Sequence, residues 1–202
     1  MKSRQQRDPT DLKKLTELAC RLGASDAAVI STSEIAVEDH LANLCREPRC
    51  ENYGLSASCP PHVAGPSGFR KLLETFKQAV VFKIDVPSKI LLSSNRREVF
   101  RALHEIAASI EHAAVDMGYN NSTAYAGGSC KQLFCQDHTY CRVLEEEGEC
   151  RNPHRARPSM SGFGINVSKL MEVAGLTMSR ITQDTGQDEV SLGTVCGLVL
   201  IG

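Results

Sequence analysis

Seven of the nine cysteines lie in two compact groups, and cysteine thiolates are the side chains that bind zinc and iron–sulfur clusters. The first group has the spacing C-x4-C-x8-C and the second has C-x4-C-x5-C-x8-C. The members are Cys45, Cys50 and Cys59 in the first group, and Cys130, Cys135, Cys141 and Cys150 in the second. Because short spacings close only small loops, several thiolates can converge at little entropic cost. We therefore predict that both groups bind metal.

Three features of these groups favour iron–sulfur over zinc. Neither group contains the C-x2-C knuckle that is typical of structural zinc sites. The wide spacings suit the larger span of a cluster, and Cys59-Pro60 resembles the Cys-Pro that closes the bacterial ferredoxin motif. We expect one or two [4Fe–4S] clusters, with zinc as the alternative.

The first group supplies three thiolates, so its fourth ligand is open, whereas the second group can complete a cluster unaided. Candidates for the missing ligand are His40, His62 and Cys196. Alternatively, one iron lacks a protein ligand and binds a substrate, or both groups assemble a single cluster. Cys196 lies in an apolar run, which favours burial as a small hydrophobic residue.

Three arginines, Arg151, Arg155 and Arg157, follow the last cysteine of the second group. Guanidinium groups would favour the reduced state of a negatively charged cluster, and an arginine fork could bind a carboxylate or phosphate. The alternative is a solvated surface cluster. His104 begins HEIAA, which lacks the second histidine of the zinc protease motif, so we place His104 on the solvated face of a helix.

The composition limits the classes of function. A net charge of −1, no tryptophan and 5% aromatic residues argue against a nucleic acid or membrane surface as partner. No apolar segment follows the basic N-terminal residues, and the final run CGLVLIG is too short to span a bilayer. We expect a cytoplasmic protein, in which clustered cysteines are more often ligands than disulfides.

Strands alternate with helices along the chain, which predicts an α/β fold. We expect a single domain over residues 1–202, with a mixed sheet, helices packed on it, and two long cysteine-rich loops at about 45–65 and 127–160. The hydrophobic periodicity predicts strands at 27–31, 80–86, 122–126, 176–181 and 194–201, and helices at 10–22, 67–76, 96–117 and 167–173. One or two helical turns are expected at 38–44 and a polar loop at 183–189.

Several motifs together resemble an uncharacterised family of predicted metal-binding proteins with a domain of unknown function, common in anaerobic archaea and bacteria. They are CREPRCENYGLSASCPPHV, AVVFKIDV, AGGSC, CRNPHRARPSMSGFGINV and the closing GLVLI. The resemblance extends roughly from Leu41 to Ile201 and implies cysteine-bound metal, as iron–sulfur, on the seven grouped cysteines. It implies no particular reaction.

We therefore expect a redox role, with electron transfer to a partner enzyme in anaerobic metabolism. This role requires a redox partner protein, and it leaves assembly into a homo-oligomer open. One alternative is an enzyme that binds a small anion at an incompletely ligated cluster. Another is a zinc-stabilised interaction module without redox chemistry.

Overall fold

The computed structural model describes residues 9–145, 148–181 and 191–202. Its centre is a four-stranded sheet in the order β1-β2-β4-β3. The strands are β1 (Asp26–Ser31), β2 (Gln78–Pro87), β3 (Thr123–Tyr125) and β4 (Leu192–Ile201). The helices are α1 (Pro9–Arg21), α2 (Asp39–Asn43), α3 (Gly65–Leu73), α4 (Ser88–Leu91), α5 (Arg96–Asp116), α6 (Cys130–Phe134) and α7 (Val167–Val173). The predicted single-domain α/β class is confirmed.

The sheet is antiparallel throughout these strands, whereas we expected a mixed sheet. The crossover through α5 does return the chain in the same direction, so β2 and β3 are parallel to each other. However, β4 lies between them and pairs antiparallel with both. The alternation of strands and helices could not indicate that the last strand would lie inside the sheet, between β2 and β3.

Both faces of the sheet are covered, which explains the nearly continuous burial of β2 and β4. On one face α1 and α5 pack against alternate residues of β2, including Val80 and Phe82. On the other face α3 and α7 pack against the intervening residues, including Ala79 and Val81. The predicted helix at 96–117 is confirmed as α5, and its apolar residues lie at the centre of the core between α1, α5 and the sheet, here called the first core.

The predicted strand at 176–181 is wrong, because this segment forms no regular structure. It runs beside β4, where the Thr194 N–H donates to the Ser179 carbonyl at 3.0 Å. The buried Lys83 Nζ donates to the Thr177 carbonyl at 2.8 Å and pairs with Asp85 at 2.6 Å. The Lys83 side chain therefore occupies the Thr177 carbonyl, a backbone acceptor that a strand at 176–181 could otherwise use for pairing.

Two further details position the cysteine-rich segments. Asn166 caps α7, since its side chain accepts a hydrogen bond from the Lys169 N–H at 3.1 Å. Isolated bridges join Val37 to Ile165 and Ala126 to Ser159, which brings the segments around both cysteine groups together. The predicted polar loop at 183–189 lies outside the described residues. Within the described ranges, no helix combines the length and apolar character needed to cross a membrane.

Candidate metal centre

The first cysteine group lies in a series of turns between α2 and α3. The Cys50 N–H donates to the Cys45 carbonyl at 3.0 Å, and the Cys59 carbonyl accepts from the His62 N–H at 3.0 Å. These turns place all three thiols on the wall of one cavity of about 470 Å³, here called the cysteine cavity. Burial raises the pKa of the Cys45 thiol, and the neighbouring Cys50 and Cys59 raise it further. The three thiols therefore share one environment.

The rest of the cysteine cavity comes from segments that are distant in sequence. Its polar lining includes Ser129 beside the second cysteine group, and Ser159 and Ser161 after Arg157. Gly164 closes this region with φ +69, and a side chain there would overlap the Glu38 carbonyl. Its own carbonyl accepts from the Glu38 N–H at 2.8 Å, so the backbone must approach closely at this point.

Cys130 lies between the two cysteine groups rather than within the second group alone. It begins α6 and is 9% exposed. Burial raises the pKa of its thiol to about 11, the hydroxyls of Ser58 and Ser56 lower it, and Cys59 and Cys150 raise it further. The preceding Ser129 Oγ is 3.6 Å from Cys59 Sγ. Cys130 therefore has one thiol neighbour from each group.

Asn152 holds two thiols of the second group. Its backbone N–H donates to Cys150 Sγ at 3.4 Å, and its side-chain Nδ2 donates to Cys135 Sγ at 3.3 Å. Hydrogen bonds to sulfur stabilise thiolate ligands and tune the metal that they bind. Asn152 was not among the predicted site residues, although its position two residues after Cys150 and directly before Pro153 is a usable signal. Cys141 is partly buried in a turn of the same segment.

The thiols are neighbours without forming a closed coordination shell. Within the described residues, no three histidine, cysteine, aspartate or glutamate side chains are grouped so that they could hold a metal ion. All nine cysteines carry free thiols. The donor set nevertheless fits a soft metal, because it consists of sulfur atoms that receive N–H donors. Asn52 Oδ1, on the cavity lining, is also buried with no hydrogen-bond partner among the described residues.

The three candidates for a fourth ligand lie away from the cysteine cavity lining. His40 and His62 are exposed, and His40 is 3.6 Å from the carboxylate of Glu38. Cys196 is buried in β4, on the face of the sheet that α3 and α7 cover, as expected for a small hydrophobic residue. Burial alone raises the pKa of its thiol to about 12.

Arg157 is buried, and its guanidinium group is fully occupied within the protein. Its Nε and Nη2 each lie 3.0 Å from a carboxylate oxygen of Glu111. Its Nη1 donates to the carbonyls of Pro153 at 2.9 Å and Ala156 at 2.8 Å, and Nη2 is 3.3 Å from His112 Nε2. Because these contacts use all five N–H groups, none is left to bind an anion.

Arg151 and Arg155 also engage partners within the protein and are not part of the cysteine cavity lining. Arg151 donates to the Tyr140 carbonyl at 3.2 Å and lies over the Tyr140 ring. Arg155 pairs with Glu105 at 3.4 Å and lies 4.9 Å from the centroid of the Phe134 ring. A role for Arg151 and Arg155 in holding a cofactor stays a prediction.

The prediction that His104 lies on a solvated helix face is wrong, because His104 is fully buried. Its Nδ1 accepts from the Arg157 N–H at 3.1 Å, so the neutral ring carries hydrogen on Nε2. That Nε2–H donates to the Gly127 carbonyl at 3.0 Å. Burial lowers the pKa of His104 to about 4. At His104 and Glu111, α5 thus faces the segment around the second cysteine group instead of water, whereas His112 is exposed.

These features define a class of protein, namely an α/β domain that carries free, clustered thiols beside a cavity. The chain belongs to the family of predicted metal-binding proteins that share the domain DUF2284, whose model matches residues 28–201. The expected family is therefore confirmed, and with it metal binding as the family's predicted property. Comparisons with curated proteins and with solved structures found no match.

Proposed function

We propose that this protein is an iron–sulfur protein that transfers electrons to a partner enzyme in anaerobic metabolism. The observation that carries the proposal is the shared cavity wall of Cys45, Cys50 and Cys59, with Cys130 as the adjacent buried thiol. Sulfur-only donors favour a [4Fe–4S] cluster or zinc over harder metals. A cluster would supply one-electron redox chemistry, and these residues would hold it.

Cys130 is the best candidate for the fourth ligand of the first group. It is buried and has Cys59 as an electrostatic neighbour, whereas His40 and His62 are exposed. With this assignment the first group has four thiols instead of three, and the second group has three instead of four. Cys135, Cys141 and Cys150 then form the smaller group, with Asn152 donating to two of its sulfurs.

Electron transfer requires that a redox centre lie close to the surface where a partner docks. Cys50 is exposed, whereas Cys59 and Cys130 are buried. A cluster held by these residues would therefore have one edge near solvent and the remainder shielded. Shielding limits the access of water, and water access is one determinant of reduction potential.

One observation favours a second candidate function, an enzyme that binds its substrate at an incompletely ligated iron. The cysteine cavity, at about 470 Å³, lies within the roughly 300–1,000 Å³ range of small-molecule sites. Its serine and asparagine side chains could orient a polar substrate. In this alternative Cys130 does not bind iron, and the position that it leaves open is where substrate binds.

The test is metal and sulfide analysis with visible and electron paramagnetic resonance spectra of anaerobically purified protein. We expect a brown protein, loss of cluster iron in both Cys59→Ser and Cys130→Ser, and no change in Cys20→Ser. Cys20 is the matched control because it is exposed on α1, outside both groups. A colourless protein that contains zinc would refute the iron–sulfur assignment. Loss of iron in Cys59→Ser with unchanged iron and spectra in Cys130→Ser would favour the enzyme instead.

A further inference from the structure

A second cavity adjoins the cysteine cavity, and its basic lining is not explained by metal binding. It has a volume of about 870 Å³. Arg96 and Arg97 at the start of α5 and Lys131 on α6 line it, and we call it the basic groove. Asn52 and Gly128 line both cavities, so the groove and the thiols share a wall.

The charges of the basic groove are only partly neutralised. Among the described lining residues, three cations face a single carboxylate, that of Glu51. Glu51 lies 4.0 Å from Arg96 and also accepts from Gln132 Nε2 at 3.1 Å. The backbone N–H of Arg97 donates to the Ser94 carbonyl at 3.3 Å, but its guanidinium group has no hydrogen-bond or ion-pair partner within the described ranges. The groove therefore has cationic capacity that the protein itself does not use.

Lys131 adds a positive charge whose position is fixed. Its Nζ donates to the Cys135 carbonyl at 2.8 Å and also to the His138 carbonyl. These bonds use two of its three N–H groups, and no carboxylate among the described residues pairs with its charge. A fixed cation loses little side-chain entropy when it binds an anion, which favours binding.

The remaining lining indicates what else a ligand must carry. Phe100, Leu91 and Leu133 supply apolar surface. Gly128, with φ +80, lets the backbone lie against the Phe100 ring, so no side chain at this position separates groove from cavity.

We propose that the basic groove binds a small organic molecule that carries a carboxylate or phosphate group. Its anionic group lies at Arg97 and Lys131, and its apolar body lies along Phe100. This placement brings the ligand to the shared wall of the cysteine cavity. The proposal does not depend on which metal the cysteines bind.

The test is isothermal titration of the metal-loaded protein with three probes: inorganic phosphate, glycerol 3-phosphate and malate. The two organic probes separate phosphate from carboxylate recognition, and inorganic phosphate reports the anion alone. We expect saturable binding of at least one organic probe, about tenfold weaker in the double variant Arg96→Gln/Arg97→Gln. The matched control is Lys71→Gln, which removes an exposed charge on α3, outside the groove lining.

Metal content measured on the same samples separates this proposal from the proposed function. We expect the double variant to retain its full metal content, because neither arginine is near a thiol ligand in sequence or on the cysteine cavity lining. Absence of saturable binding by every probe, or equal weakening in Lys71→Gln, would overturn the proposal. Binding by a zinc-loaded protein would leave the basic groove supported and the iron–sulfur assignment refuted.

Discussion

The two cysteine groups differ in what holds their thiols in place. Cys45, Cys50 and Cys59 lie in consecutive turns along an open cavity, and backbone bonds of the turns themselves order them. The second group lies in a segment attached to α5 by buried side chains, and two of its sulfurs receive hydrogen bonds from Asn152. The first region lines an open cavity, whereas the second is attached to the fold by the buried contacts of His104 and Arg157, here called the brace.

This difference indicates how much each region depends on metal. Metal binding often supplies the free energy that orders a ligand loop, because the loop lacks a core of its own. We expect the turns of the first group to have that dependence. A buried ion pair and a buried histidine join the segment of the second group to α5. Its ends should therefore stay attached to this helix whether or not metal is bound.

The largest effect is expected from breaking the brace itself. Arg157→Met leaves Glu111 without its ion-pair partner, and both side chains are mostly buried, at 7% and 18% exposed. We expect the free energy of unfolding to fall by about 3–5 kcal/mol in urea titrations. Arg155→Met is the matched control, since its pair with Glu105 is 49% and 42% exposed and should contribute less than about 1 kcal/mol. Equal losses in the two variants would contradict the braced description.

A smaller effect is expected from acid. The pKa of His104 is about 4 in the folded protein, against an ordinary value of 6.5, so the unfolded state takes up the proton first. Stability should therefore fall by about 3 kcal/mol as pH drops from 6.5 to 4. His104→Gln should lose this part of the slope, and the exposed His62→Gln should keep it. Because the variants are compared at each pH, any release of metal by acid affects all of them equally. Identical slopes of stability against pH in all variants would mean that protonation of His104 does not destabilise the fold.

The smallest effect is expected from removing the donors to sulfur. Asn152→Ala deletes the bond from Nδ2 to Cys135 Sγ and leaves the backbone bond to Cys150 Sγ intact. We expect the second group to bind metal about tenfold more weakly in chelator competition, with the first group unchanged. Asn120→Ala, at an exposed turn, is the control. Equal weakening of both groups would mean that all seven thiols serve a single site.

The sequence was most informative where chemistry is local. Cysteine spacing identified both groups, and hydrophobic periodicity located α5, β2 and β4 because each buries a regular apolar face. The failures all involve long-range contacts. Cys130 has neighbours from both groups, which no spacing within one group can indicate. His104 looked solvated because its hydrogen-bond partners, Gly127 and Arg157, follow it by 23 and 53 residues in sequence.

The two bonds of His104 have a further consequence for how a cluster could be assembled. They join Gly127 to Arg157, which are the two ends of the segment that carries the second cysteine group. The chain has thus already closed this loop, so an incoming metal does not bear that entropic cost. Its thiols meet the metal at a raised effective concentration, as the two arms of a tethered chelator do. We therefore expect metal to bind at this group first and at the turns of the first group later.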